Sequence, residues 1–320
     1  MAGAVSKVTV IVVLDRRGEV LVKIHYLVLA HHNPDQFHEL VSALGDNPVY
    51  AHVDAKADGA LFANPAVSFA PKRINVSWGG WSIVDATLRL IIHAMPHVAP
   101  EDYVVLLSGD SYPLRTPEAT REFFAQNHGS QFINSVDLPS VEMSKSIGRL
   151  AKHYVEYNPR NGKRNLLPRL INKAGIPRNW QKALGDRKAY TGSQWWALTG
   201  EAVQWILDDI RDDPAYVEFM KHTRIPDEHF FQIGLMASPF ASRRKPTVLW
   251  SDYSRNYGTK PIIMDESHVD EMEQKRLVFD QDGYGIVHAL FARKFADKAL
   301  TDSIRERVWP ITADAPASVL

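Results

Sequence analysis

Cysteine is absent from the 320 residues. Disulfides, zinc–thiolate sites and a cysteine nucleophile are therefore excluded, and a reducing compartment fits. Surplus charge is missing too. Lys plus Arg and Asp plus Glu number 37 each, so net charge selects no partner. The apolar run Val8 to Leu14 is too short for a membrane-spanning helix, which needs about 20 residues. It lacks a signal-peptide basic region before it and a small-residue cleavage site after it, and Asp15-Arg16-Arg17 follows, so it reads as a short extra strand. These absences lead to the expectation of a cytoplasmic protein, at most peripheral to the inner membrane face. No Gly-rich phosphate loop, Gly-x-Ser-x-Gly elbow or His-Glu-x-x-His helix occurs, which leaves the chemistries built on them without support.

What is present is enough apolar residue, 45%, to bury a core. The first half alternates strand-like runs with amphipathic stretches. Tyr26-Leu27-Val28-Leu29-Ala30, Val49-Tyr50-Ala51-His52-Val53 and Tyr103-Val104-Val105-Leu106-Leu107 read as buried strands. Phe37, Leu40, Val41 and Leu44 share one helical face ending at Gly45, and Ile83 to Met95 is a second helix. Such alternation predicts an α/β fold with a Rossmann-like, mainly parallel sheet. Ligands then bind beyond the carboxyl ends of the strands, where His31-His32, Asp54 and Asp110-Ser111 stand. The expected organisation is an N-terminal extension (1–22), a nucleotide-binding half (23–142), a basic insertion (143–190), a catalytic and acceptor half (191–312) and a tail (313–320). The insertion holds twelve Lys and Arg against Glu156 and Asp186. It is either a solvated surface or a face for an anionic acceptor or an acidic membrane. Nucleic acid is not expected, since no binding motif accompanies the charge.

Several side chains could carry chemistry, and each has a plainer reading. His31 and His32 are adjacent, so on a strand end they should point apart rather than pair on a metal. Glu228 follows Pro226-Asp227 at the apparent start of a helix running on through Ile233, where acids complement the dipole, and Asp227 suits a cap. Arg293-Lys294 between Phe291 and Phe295 is a snorkelling surface pair or a diphosphate clamp. Trp195-Trp196 is core or a sugar-stacking platform. Asp280-Gln281-Asp282, a late Asp-x-Asp in a Gly-containing loop, reads as a chance match to a metal motif.

The order of seven segments is more specific than any one of them. They are Tyr26-Leu27-Val28-Leu29-Ala30-His31, His52-Val53-Asp54, Trp78-Gly79-Gly80, Leu107 to Leu114, Gly192-Ser193-Gln194-Trp195-Trp196, Pro226-Asp227-Glu228 and Phe291-Ala292-Arg293-Lys294-Phe295. Together they resemble the Branch glycosyltransferases, which include core-2/I-branching N-acetylglucosaminyltransferases and peptide O-xylosyltransferases. The resemblance runs from about Tyr26 to Lys298.

That resemblance implies a GT-A-like fold and inverting transfer from a UDP-sugar, with GlcNAc or xylose favoured, to an acceptor hydroxyl. No metal or other cofactor is implied. Glu228 would be the catalytic base and Lys294, beside Arg293, would meet the diphosphate. His31, Asp54, Trp78, Gly79, Asp110 and Ser111 would line the donor site, with Asp54 on the nucleoside. Gln194, Trp195, Trp196 and Asp227 would face the acceptor, a glycan or a lipid-linked one, and the basic insertion suits an anionic one. Related sequences carry Asp immediately before the aromatic–Pro pair. Here Ser111 stands there, with Asp110 one place earlier, and which of them serves stays open. A second family cation has no clear counterpart, and Arg255 is the candidate. The alternatives are a catalytically silent glycan-binding protein and a metal-dependent transferase using Asp280 and Asp282.

Overall fold

The computed structural model describes residues 22–141, 143, 145–157, 165–254, 260–281 and 283–313. The Val8–Leu14 run, Arg255, Asp282 and residues 314–320 lie outside them.

The strands β1 (Ile24–Ala30), β2 (Val49–Val53) and β4 (Tyr103–Ser108) are buried almost throughout. Continuous apolar runs are what a strand covered on both faces requires. The short edge strand β3 (Val67–Phe69) follows β2. Helix α1 (Pro34–Ala43) opens on Asn33, whose side chain accepts the Gln36 N–H. It buries Phe37, Leu40 and Val41, and Gly45 leaves it at φ 65°, a left-handed exit that suits glycine. Helix α2 (Ser82–Ala94) returns the chain to β4.

Beyond β4 come β5 (Ser111–Pro113), α3 (Pro117–Gln126), β6 (Gln131–Ile133) and β7 (Val136–Asp137). The basic stretch forms α4 (Gly148–Ala151), α5 (Leu166–Ala174), α6 (Trp180–Leu184) and β8 (Tyr190–Thr191). The remainder supplies β9 (Trp196–Thr199), α7 (Gly200–Asp212), α8 (Pro214–Lys221), α9 (Phe230–Ala237), β10 (Arg244–Lys245) and β11 (Leu249–Ser251). Helix α10 (Glu266–Lys275) then leads to β12 (Val278–Gln281), β13 (Gly285–His288) and β14 (Phe291–Arg293).

The main sheet has the order β10-β6-β9-β4-β1-β2-β3. It is mostly parallel, but β9 runs antiparallel between β6 and β4. Strands β9 and β10 therefore complete the sheet begun by the N-terminal half. The order reverses at β1, with β2 on one side and β4 on the other, which opens a crevice at their carboxyl ends. Gly109 allows the ends to close up: a Cβ there would lie 3.1 Å from Ala30 Cβ. A second sheet, β11-β14-β5, sets Ser111 opposite Arg293 and Tyr112 opposite Ala292. Its own core includes Tyr112, Trp250, Phe279 and Phe295, with the Trp250 and Phe279 rings stacked 4.0 Å apart.

One element departs from expectation. Helix α9 starts at Phe230, and Pro226–Glu228 is a separate 3-10 turn, cut off by His229 at φ −130°. Asp227 makes no capping bond there.

Candidate active site

The β1–β4 crevice is floored by charge. Asp110, 4% exposed, sits between the Arg293 guanidinium, 3.4 Å from Oδ1, and the Lys294 ammonium, 3.5 Å from Oδ2. Ser108 Oγ–H donates to Asp110 Oδ1, Arg293 Nε–H donates to Ser108 Oγ at 3.0 Å, and Ser111 Oγ lies 2.9 Å from Ser108 Oγ. Burial works against an ionised Asp110, but Arg293 and then Lys294 hold its carboxyl below the usual range. Two cations facing one carboxylate leave a surplus positive charge. Arg293 is sealed, its guanidinium 4.7 Å above the Trp195 ring, whereas the Lys294 side chain keeps 31% exposure. Their peptide bond is cis. The pairing of β14 with β5 is what carries these residues to the strand ends. Of the two alternatives, Asp110 meets the cations and Ser111 is fully buried behind it.

Glu228 lies on the turn before α9. Ile225 precedes it at φ 55°, a strained position for a β-branched residue, and donates its N–H to Gly79 O at 2.8 Å. The Glu228 carbonyl accepts the Gly192 N–H at 2.8 Å. A Cβ on Gly192 would lie 1.7 Å from Asn134 O, so only glycine fits. Arg149 of α4 and Lys145 both meet the same oxygen, Oε2, the lysine at 3.6 Å. Among the described residues Oε1 has no hydrogen bond or ion pair, and the side chain is 28% exposed. On either side of Glu228, burial and then the Glu228 charge push Asp227 up to about 7, and burial takes His229 down to about 4. His229 Nδ1–H donates to Tyr190 O at 2.9 Å, which leaves its Nε2 buried without a partner among the described residues. Glu228 is thus the carboxylate of this turn that is open to solvent and held by cations.

The Tyr253 hydroxyl is raised, by desolvation first, with Arg293 pulling it down and Glu228 adding to the rise. Lys145 donates to the Tyr284 hydroxyl at 3.0 Å on the same side. Arg149, Lys145, Tyr253, Tyr284 and His229 were not singled out by sequence reasoning. Arg149 lies 79 positions from Glu228, with no motif joining them.

Other expected residues divide. Trp78 is 74% exposed, and Gly79 adopts φ 73° beside the Glu228 turn. His31 and His32 do not point apart: β1 ends at Ala30, they lie in a bend, and their rings stand 4.2 Å apart. Desolvation first, and His32 next, lower the His31 imidazole, against the pull of Asp110. The Asp54 carboxylate is already committed, Oδ1 to the Lys56 N–H at 2.8 Å and Oδ2 to the Lys56 ammonium at 2.7 Å, so it shapes its own loop. Trp196 is a correction. At 1% exposure against Phe231 it is core, out of a ligand's reach. Trp195 spends a ring face on Arg293, and the half-buried Gln194 leaves Nε2 unpartnered. Asp280 is in β12 opposite Ile286, not in a loop. Among the described residues no group of three His, Cys, Asp or Glu is placed to hold a metal ion.

The protein is a mostly parallel α/β sheet that carries the Asp110–Arg293–Lys294 ion cluster just beyond β4. The family model described as Core-2/I-Branching enzyme matches residues 14–273, and the chain belongs to that family. Xylosyltransferase oxt of Drosophila pseudoobscura pseudoobscura is 23% identical over 253 residues, covering 72% of this chain and 24% of the relative. Xylosyltransferase 2 of Mus musculus is 26% identical over 265 residues, covering 75% and 27%. The Homo sapiens N-acetyllactosaminide beta-1,6-N-acetylglucosaminyl-transferase is 25% identical over 236 residues, covering 71% and 55%. The chain thus spans about a quarter of the length of the xylosyltransferases it matches.

Proposed function

We propose that the chain is an inverting, metal-independent glycosyltransferase of GT-A-like fold. It moves a sugar, GlcNAc or xylose by family analogy, from a UDP-sugar to the hydroxyl of a glycan or lipid-linked acceptor at the cytoplasmic side. The observation that supports this reading is a partly exposed carboxylate, Glu228, held at Oε2 by Arg149 and Lys145, together with the Arg293–Lys294 cation pair on Asp110. In the step proposed, the acceptor oxygen attacks the anomeric carbon while Glu228 takes its proton. The bond to the diphosphate breaks on the opposite face, and the electron pair leaves with the diphosphate. Lys294 neutralises that charge, and Arg293 with Asp110 holds the lysine in place. The exposed Trp78 ring supplies a surface for a sugar face. The names of the relatives support the reaction class and both candidate sugars.

Glu228→Gln tests it. Removing a general base costs about 10²–10⁴-fold in rate, so transfer should fall by that much while UDP-sugar binding, read by calorimetry, persists. Unchanged transfer would remove Glu228 from the mechanism. Activity abolished by a chelator and restored by a divalent cation would overturn metal independence.

A further inference from the structure

Helix α5 contains no buried residue. Leu166, Leu167 and Leu170 are 64%, 67% and 55% exposed, and Ile176 beyond the helix is 47% exposed. At about 100° per residue these three leucines share one side of the helix. Asn172 faces the other way, bonded twice to the Val155 backbone at 2.8 and 2.9 Å, which pins that side to the body of the protein. Arg169 and Lys173, both exposed, flank the leucines. Across the segment, Lys152, Lys182 and Lys188 are exposed as well, and none of these five cations pairs with a carboxylate among the described residues. Glu156, one of only two acids there, is spent on the start of α2, where Oε2 accepts the Ser82 N–H at 2.9 Å.

We infer that α5 docks on an anionic lipid bilayer, its leucines entering the headgroup boundary and its cations meeting the lipid phosphates. Apolar burial and attraction to anionic lipid act together in such helices. A second copy of this chain fits less well, since it would set Arg169 and Lys173 against cations of their own kind.

The test is co-sedimentation of the full chain with vesicles of phosphatidylcholine alone or with added phosphatidylglycerol. Binding is expected only with phosphatidylglycerol, and it weakens as salt is raised. Arg169→Gln with Lys173→Gln should weaken it by roughly 30-fold, at about fivefold per charge. Leu166→Gln with Leu170→Gln should abolish it, while circular dichroism and the melting temperature stay as in the parent, because none of these side chains is buried. No binding to anionic vesicles, or binding that neither pair alters, overturns the inference. So does a dimer that the leucine pair dissociates, which would assign the face to self-association.

Discussion

Asp227→Asn makes a sharp test of the turn that presents Glu228. The Asp227 carboxyl is raised from 3.8 to about 7, first by burial and then by Glu228. Across that window the folded protein keeps a proton that the unfolded chain has released. Stability must then fall as pH rises, by about 1.4 kcal/mol per pH unit and about 4 kcal/mol in all. His229 acts in the opposite sense. Its imidazole is lowered from 6.5 to about 4 by burial, so between those values only the unfolded chain is protonated and stability rises with pH at the same slope. In the parent the two contributions nearly cancel from pH 4 to 6.5, which would hide both. Urea unfolding of parent and Asp227→Asn at matched pH separates them, because subtraction removes every group the proteins share. The stability of the variant relative to the parent should climb by about 4 kcal/mol between pH 4 and 7 and then level. The corresponding difference for His229→Gln should fall by about 3 kcal/mol between pH 4 and 6.5. A difference that is flat with pH, or of the reverse sign, would refute the assignment of Asp227 as a half-buried acid held neutral.

Lys294→Met should lower kcat by about 10²–10³-fold, the usual cost of removing one donor to a developing anion, and should weaken UDP binding in calorimetry. A change confined to the acceptor KM would contradict its place at the diphosphate. Gly192→Ala drives a Cβ into the Asn134 carbonyl and displaces the bond to Glu228 O, so it should cost about 3 kcal/mol in urea unfolding, with transfer lost. A variant as stable as the parent would show that the backbone there can give way.

Much of the crevice was legible because its residues sit on strong local patterns. The apolar runs of β1, β2 and β4 end in polar residues, and the rule that ligands gather at such ends pointed to Asp110 before any coordinates. β3 escaped notice because Val67-Ser68-Phe69 is too short to show a period. The tryptophans show a different limit. Side chains alternate along a strand, but only Trp196 belongs to β9, and Trp195 lies just before it. The structure puts Trp196 in the core and Trp195 under Arg293. At His31-His32 the same alternation failed, because the strand had already ended. Asp54 shows what the strand-end rule leaves out: Lys56, two residues on in its own loop, already engages the carboxylate.

The basic segment shows why charge composition alone stops short of function. Its twelve cations form one block in the sequence, yet among the described residues the fold sends them in three directions. Lys145 and Arg149 turn inward to one oxygen of Glu228, and among the described residues the other has no partner. Arg178 donates to Leu150 O, Phe219 O and Thr223 Oγ1, and Arg187 pairs with Asp209 and Asp213, so both fasten the segment to the body. Arg169 and Lys173 face solvent beside exposed leucines. Only the last group behaves as the solvated charge that composition suggests. The first group changes how Glu228 is understood. A carboxylate gripped at both oxygens would be a poor base, and one gripped at neither would be poorly aimed. Holding Oε2 fixes the side chain, and among the described residues Oε1 has no partner, so on the proposed mechanism the segment that reads as a surface insertion would also align the base.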